Sequence, residues 1–125
     1  MEMARTGVIL NTEHYEACVA FYRDLFDLEI LFEREEGDFR LTCFAYGGAY
    51  LMVETDGVAR QGEKTVAESP TKLRINVPDV DEALEAVRAY GIDAEIAVND
   101  WGRTIDIHDP DGNRVGIRDE ATFGA

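Results

Sequence analysis

The most regular hydrophobic pattern in this chain lies in residues 103–118, RTIDIHDPDGNRVGIR. Apolar residues occupy alternate positions on both sides of the central DPDGN segment, as they do in a strand with one buried face. Alternation on both sides of an Asp-Gly turn is a strong signal for a β-hairpin. Pro110 has no backbone N–H for a strand ladder, and Gly112 adopts a positive φ at little cost. The segment therefore predicts two antiparallel strands joined by a tight turn.

The first half of the chain predicts a strand, a helix and three further strands. A short strand is expected over Thr6–Asn11, and either Asn11 or Thr12 is placed to cap the helix that follows. Apolar residues at helical spacing indicate one buried stripe, formed by Ala17, Cys18, Phe21, Tyr22 and Leu25. The three later strands are expected over Leu28–Arg34, Phe39–Tyr46 and Ala49–Thr55.

The second half repeats the same order of elements. A strand over Lys72–Val77 precedes a helix that begins with Asp79 and Glu82 in a capping box. Gly91 lies where a left-handed residue ends such a helix. The apolar stripe of this helix is formed by Val80, Ala83, Leu84 and Val87. A strand over Asp93–Val98 and the hairpin described above complete the half, so the chain contains the strand–helix–three-strand unit twice.

The two halves are joined by residues 56–70, which are polar and show no periodicity. This segment is predicted to be an exposed crossing loop, and its length makes it a candidate for a lid or a dimer contact. Each half has one apolar helix stripe and four half-polar strands, so one face of each sheet should cover its helix. The fold class is therefore α+β, and the second face of each sheet is left to line something else.

The composition narrows the classes of partner. The net charge of −14 at pH 7 argues against nucleic acid and against anionic membrane surfaces, and an acidic surface of this kind suits a cationic ligand. No apolar run approaches membrane-spanning length, and the residues MEMARTG lack the features of a signal peptide. Cys18 and Cys43 are far apart and form no CxxC motif, which favours reduced core cysteines in a cytoplasmic protein.

The repeated unit, the helix segment FYRDLFDLEI and the DPDGN hairpin together resemble the vicinal oxygen chelate superfamily. That superfamily includes glyoxalase I, extradiol dioxygenases, methylmalonyl-CoA epimerase and the bleomycin-resistance proteins. The resemblance implies two βαβββ modules whose curved mixed sheets surround a cup, usually in a homodimer. It assigns a single glyoxalase-like domain to residues 1–125, with a first module over 1–55, a linker loop over 56–71 and a second module over 72–120.

Metalloenzymes of that superfamily place their ligands at matched strand positions, which fall here at Gly7, Glu54, Lys72 and Gly116. Only Glu54 can ligate a metal, because glycine has no side chain and an ammonium group has no lone pair. A catalytic divalent site takes about three protein ligands. Glyoxalase I activity is therefore not expected, and no cofactor or metal is predicted. The Lys72 ammonium is instead a candidate to replace the metal charge beside Glu54, or to have no partner.

Strand alternation independently predicts which residues line the cup. In the second half these are Lys72, Arg74, Asn76, Thr104, Asp106, His108, Arg114, Gly116 and Arg118. In the first half they are Ile9, Asn11, Arg40, Thr42, Phe44, Tyr50, Met52 and Glu54. Basic residues outnumber acidic ones in this set, which suggests an anionic or carboxylate-bearing ligand with Arg74 and Arg118 as bidentate anchors. Apolar and stacking contacts would come from Tyr50, Phe44, Met52 and Trp101. The alternative is cross-strand salt bridges with no ligand.

The residues predicted to contact a ligand are Arg40, Tyr50, Met52, Glu54, Lys72, Arg74, Asn76, Trp101, His108 and Arg118. His108 has Asp106 on the same strand face and is a candidate acid or base, although a rim histidine is the simpler interpretation. Three functions stay open: a metal-independent small-molecule binding protein; an enzyme, either metal-dependent through residues such as Glu54 and His108 or metal-free; and a non-catalytic dimeric interaction module.

Overall fold

In the computed structural model, which describes residues 1–124, the chain forms two compact units, Met1–Arg60 and a second unit that begins at Gln61. Each unit contains one sheet of four strands. The predicted α+β architecture of two βαβββ modules is confirmed, and residues 56–70 contain neither helix nor strand, as expected. None of the helices in the described residues is long and apolar enough to span a membrane.

The first unit contains β1, α1 and then three strands in succession. The bounds are β1 Gly7–Asn11, α1 Tyr15–Ala20 with a π-helical continuation Phe21–Leu25, β2 Ile30–Glu36, β3 Phe39–Tyr46 and β4 Ala49–Glu54. The strands lie in the order β1-β4-β3-β2, with β1 parallel to β4 and the other neighbours antiparallel. The largest buried side chains of this unit are Phe21, Tyr22, Phe44, Leu51 and Val53.

The start of α1 differs from the sequence prediction. The N-cap residue is His14, whose side chain makes no capping hydrogen bond. Asn11 is the last residue of β1, and the Thr12 hydroxyl donates to the backbone carbonyl of Glu54 at 2.8 Å. Both proposed caps are therefore wrong, because these polar side chains bond to the adjacent strand β4 and to the residue after it instead. The predicted stripe is wrong at Ala17, which is exposed.

The second unit repeats this arrangement. The bounds are β5 Leu73–Val77, α2 Val80–Ala89, β6 Ala97–Asn99, β7 Gly102–His108 and β8 Arg114–Asp119. The strand order is β5-β8-β7-β6, with β5 parallel to β8. The Asp79 carboxylate accepts a hydrogen bond from the backbone N–H of Glu82 at 3.1 Å, so the predicted cap is confirmed. The strand expected over Asp93–Val98 begins later, at Ala97.

The turn between β7 and β8 is held by one buried carboxylate. Asp109 is 1% exposed, and its Oδ1 accepts the backbone N–H groups of Asp111 and Asn113, each at 2.9 Å. Its Oδ2 accepts the Asn113 side-chain amide at 2.8 Å. A carboxylate that accepts several backbone N–H groups stabilises a tight turn in the manner of a helix cap. This confirms the hairpin and explains why the turn needs its first aspartate.

The long connection is fixed to each unit by hydrogen bonds. In the first unit the backbone N–H of Gly57 donates to the Thr12 carbonyl at 3.0 Å. In the second unit the backbone N–H of Lys64 donates to the Gly112 carbonyl at 2.8 Å. The Lys64 Nζ donates to Oδ1 of Asn113 at 2.9 Å. These contacts order the connection near its start and at its middle, which disfavours free motion of the whole segment.

Candidate functional site

In each unit the helix covers one face of the sheet, and the chemistry of interest lies on the other, termed here the helix-free face. In the second unit, α2 packs on β7 and β8, and Arg103 reaches Asp81 of α2 from that covered face. Strand pairing places the residues of opposite parity together on the helix-free face. They are Arg74, Asn76, Thr104, Asp106, His108, Arg114, Gly116 and Arg118. The face predicted for the second half is therefore correct.

Two cationic side chains lie over Gly116 on this face. A Cβ atom added at Gly116 would be 2.8 Å from Cε of Lys72 and 3.3 Å from Nη1 of Arg74. Lys72 extends across the glycine to Asp106, the strand partner of Gly116, with 2.6 Å between its Nζ and Asp106 Oδ1. A glycine at this position therefore lets both side chains lie flat on the sheet.

The carboxylate bound to Lys72 is not the one that sequence reasoning suggested. The prediction paired Lys72 with Glu54, whereas the ion pair forms with Asp106 inside the second unit. Glu54 belongs to the first unit and accepts a 3.4 Å hydrogen bond from the Asn11 side-chain amide. The Lys72–Asp106 pair could have been found from strand alternation, since both residues were placed on the same face.

Arg118 lies at the centre of a buried network. Only 6% of this residue is exposed. Its Nε donates to the Asp119 carbonyl at 2.9 Å, and its Nη2 donates to the Trp101 carbonyl and the Thr122 hydroxyl, both at 3.0 Å. Its guanidinium carbon also lies 5.2 Å from the centre of the Trp101 ring. These contacts favour a positioning role for Arg118, and its use as a direct ligand anchor stays a prediction.

Asp119 completes this group, which we call the Arg118 network (Trp101, Gly102, Arg118, Asp119 and Thr122). Its carboxylate accepts the backbone N–H of Arg103 at 2.8 Å and both the hydroxyl and the backbone N–H of Thr122. These hydrogen bonds, that of the Thr122 hydroxyl first and that of the Arg103 N–H second, lower the pKa of Asp119 to about 2. A Cβ atom at Gly102 would be 2.7 Å from Arg118 Nη2, so only glycine leaves room for the network.

Trp101 lies beside these cations in the turn between β6 and β7. About half of it, 52%, is exposed. The guanidinium carbon of Arg74 is 5.7 Å from the centre of its ring, within the range of a cation–π contact. The accessible part of the face thus combines Lys72, Arg74 and part of the Trp101 side chain. Of the other predicted residues, His108 is exposed, and Asn76 is half-buried and donates to Glu120 at 3.4 Å.

In the first unit the prediction is correct for β1 and β4 and wrong for β3. Tyr50, Met52 and Glu54 share the helix-free face with their β1 partners, and the Tyr50 ring covers Gly7. The β3 residues beside them are Leu41, Cys43 and Ala45. The two-residue turn Gly47-Gly48 pairs Tyr46 with Ala49, and this pairing sets the parity.

Arg40, Thr42 and Phe44 consequently lie on the covered face. The Arg40 guanidinium is 4.6 Å from the Tyr15 ring and pairs with Glu16 at 3.0 Å, both in α1. The Thr42 hydroxyl bonds to the Tyr15 hydroxyl at 2.5 Å. The face predicted for Arg40 is therefore wrong by one strand position, and a contact between Arg40 and a ligand stays a prediction. Cys43 lies on the helix-free face beside Met52 and is buried, as expected of a core cysteine.

The residues at the four family metal positions do not fit a divalent cation. The first position is a glycine covered by the Tyr50 ring, and the fourth is a glycine covered by Lys72 and Arg74. The third is Lys72 itself, whose ammonium is a hydrogen-bond donor only. Within residues 1–124, no group of three or more His, Cys, Asp or Glu side chains is arranged to hold a metal.

The model of the Glyoxalase/Bleomycin resistance protein/Dioxygenase superfamily matches residues 6–117. No curated protein matches the sequence. Among solved structures, lactoylglutathione lyase from Agrobacterium tumefaciens is 22% identical with a TM-score of 0.73, over 99% of this chain and 98% of that one.

Two further structures have similar scores. The fosfomycin resistance protein FosX from Listeria monocytogenes, complexed with Mn(II) and sulfate, is 18% identical with a TM-score of 0.72, over 95% of this chain and 93% of that one. TnmS3, an antibiotic binding protein from Streptomyces sp. CB03234, is 18% identical with a TM-score of 0.69, over 95% of this chain and 98% of that one. At these identities the likeness establishes the fold, which enzymes and binding proteins share.

Proposed function

Because this chain belongs to the Glyoxalase/Bleomycin resistance protein/Dioxygenase superfamily, we propose that it binds a small anionic molecule on the helix-free face of its second unit, without a divalent metal. The structures similar to it include a lyase, a resistance protein complexed with Mn(II) and an antibiotic binding protein. Membership in the superfamily therefore does not determine the activity of this chain, and the function has to be inferred from the side chains on the helix-free face.

The observation that carries the proposal is the placement of Lys72 and Arg74 over Gly116. A guanidinium group presents two parallel N–H donors to a carboxylate or phosphonate, and an ammonium group beside it adds a point charge. Lys72 is already held by Asp106, which orients its Nζ without removing its remaining donors. The net charge of the chain is −14, but the two adjacent cations over Gly116 give this part of the surface a local positive charge, which suits an anion.

The first test is the substitution Arg74→Ala, assayed with a panel of carboxylates, phosphonates and neutral analogues. Compounds that bind the folded protein raise its unfolding temperature by mass action, and their affinity is then measured by calorimetry. Removing a charged hydrogen-bond donor from an anion should weaken binding by about tenfold or more.

The matched control is Arg103→Ala, because Arg103 belongs to the same sheet, lies on its covered face and pairs with Asp81 at 2.9 Å. This variant should bind the anions like the unmodified protein. Equal affinities in the Arg74→Ala variant and the unmodified protein would remove the proposal. A panel in which only neutral compounds bind would also contradict it.

Two further properties remain predictions that this proposal does not need. Homodimer formation is expected from the family resemblance, and sedimentation velocity at several protein concentrations would test it. Cytoplasmic location is expected from the sequence, and fractionation of the native host would test it.

A further inference from the structure

We infer that the anion bound by the second unit carries a planar aromatic ring, and that this ring stacks on Trp101 while Arg74 and Lys72 hold the anionic group. The inference rests on the proposed function and extends it by naming the chemical class of the ligand. It comes from three features of the structure: the exposure of the indole, the way its backbone is held, and its distance from Arg74.

Trp101 is 52% exposed, so its side chain leaves a large apolar surface in water. The aromatic surface of tryptophan gains most when another flat ring covers it, since offset stacking contributes beyond the area that is buried. Trp101 is the only tryptophan of the chain, and it occupies a turn where a small polar residue would serve the hairpin as well.

The Arg118 network holds Trp101 in place, so that its indole is ordered before a ligand binds. The Trp101 carbonyl accepts a hydrogen bond from the buried Arg118 guanidinium at 3.0 Å, and that guanidinium also lies 5.2 Å from the indole centre. Arg118 is itself held by the Thr122 hydroxyl. A binding surface that is ordered before the ligand arrives spares the ligand the entropic cost of ordering it.

The distance between Arg74 and Trp101 sets the shape of the ligand. The Arg74 guanidinium carbon is 5.7 Å from the ring centre, so an anionic group bound to Arg74 lies near the indole. An acid whose carboxylate is attached directly to a ring satisfies both contacts at once. A short aliphatic acid satisfies Arg74 and leaves the indole exposed.

The experiment compares 2-naphthoate with its saturated counterpart, decahydro-2-naphthoate, which has the same charge and a similar size but no π system. Calorimetry on the whole protein should show that 2-naphthoate binds more tightly, by about two- to tenfold, from stacking. Trp101→Leu should abolish this preference and retain weak binding of both acids. Trp101→Phe should keep part of the preference, because an aromatic face remains. Arg74→Ala should weaken both acids together.

Each alternative result has a distinct meaning. Equal affinity of the unmodified protein for the two acids, with both weakened by Arg74→Ala, would overturn the aromatic inference and leave anion binding intact. Failure of both acids to bind at millimolar concentration would overturn the inference and count against the proposed function as well. A change of oligomeric state on Trp101→Leu would overturn the inference, because a second copy of the chain would then be what covers the indole.

Discussion

Gly116 is the residue on which the proposed anion site depends. A methyl group at this position would meet the Cε of Lys72 at 2.8 Å and the guanidinium of Arg74 at 3.3 Å, which are the far ends of flexible side chains. Gly116→Ala should therefore displace both cations at small cost to stability. The expected result is weaker anion binding by calorimetry with nearly unchanged urea unfolding. Retention of full affinity would mean that the two cations need not lie flat on the sheet.

Gly57 provides the contrasting glycine. A Cβ atom there would overlap the backbone carbonyl of Asn11 and the backbone N of Thr12, which cannot rotate away. The same backbone N–H of Gly57 donates to the Thr12 carbonyl, so the close approach is part of the fold. Gly57→Ala should lower the free energy of unfolding by about 1–3 kcal/mol, as overpacking does. Urea denaturation would measure it, and an unchanged midpoint would contradict the overlap.

At the scale of the element, the C-terminal end of β8 and the turn after it hold the β6–β7 turn in place. The contact runs from Thr122 through the Asp119 carboxylate to the Arg103 backbone, and from Thr122 through Arg118 to the Trp101 carbonyl. Thr122→Val should loosen the β6–β7 turn and make Trp101 more accessible to quenching by acrylamide. The sole tryptophan gives an unambiguous signal, and Thr65→Val is the control, since the Thr65 hydroxyl bonds to Glu68 instead. Unchanged quenching in Thr122→Val would show that the network does not order the indole.

Asp119 makes the same turn sensitive to acid. Its pKa is lowered to about 2 in the folded chain from an ordinary value of 3.8. The group therefore adds stability that is fully present above pH 3.8 and is lost as the pH falls towards 2. Asp119→Asn should remove this part of the pH dependence, so that the difference in stability between variant and unmodified protein shrinks from pH 5 to pH 2. A constant difference over that range, measured by urea unfolding, would contradict the assignment.

Sequence pattern predicted the elements well and the register of one strand poorly. The faces of β5, β7 and β8 followed from alternation, because the DPDGN turn pairs His108 with Arg114 and fixes the rest. The face of β3 did not, although the Gly47-Gly48 turn contained the information that pairs Tyr46 with Ala49. A shift of one residue in the prediction moved Arg40 from the covered face to the helix-free face of the first unit and reversed every side chain of that strand.

Other features could not be read from pattern. The Arg118 network joins the end of β8 to Trp101 across a turn whose conformation depends on Gly102, which has a φ of 151°. No periodicity links Thr122 or Asp119 to residues in the preceding turn, so sequence analysis placed Arg118 only on a face and assigned it to the ligand. Likewise the late start of β6, at Ala97, reflects local pairing with Thr104 rather than the hydrophobicity of Ile92 and Ile96.

At the scale of the whole molecule, the question is whether this chain uses a metal, as metalloenzymes of its superfamily do. Three of the four family positions, Gly7, Lys72 and Gly116, offer no metal ligand, and Lys72 and Arg74 bring positive charge to the fourth strand of the second unit. The protein should therefore contain far less than one metal ion per chain when purified without chelator from medium supplemented with nickel, zinc and iron. Elemental analysis measures this directly. A content near one tightly held ion per chain would contradict metal-free binding and make a metal-dependent lyase, isomerase or dioxygenase the leading interpretation. The variant Lys72→Ala separates the two cases further. It should weaken the binding of an anion, because it removes a positive charge, and it should not weaken the binding of a metal ion, which that charge repels.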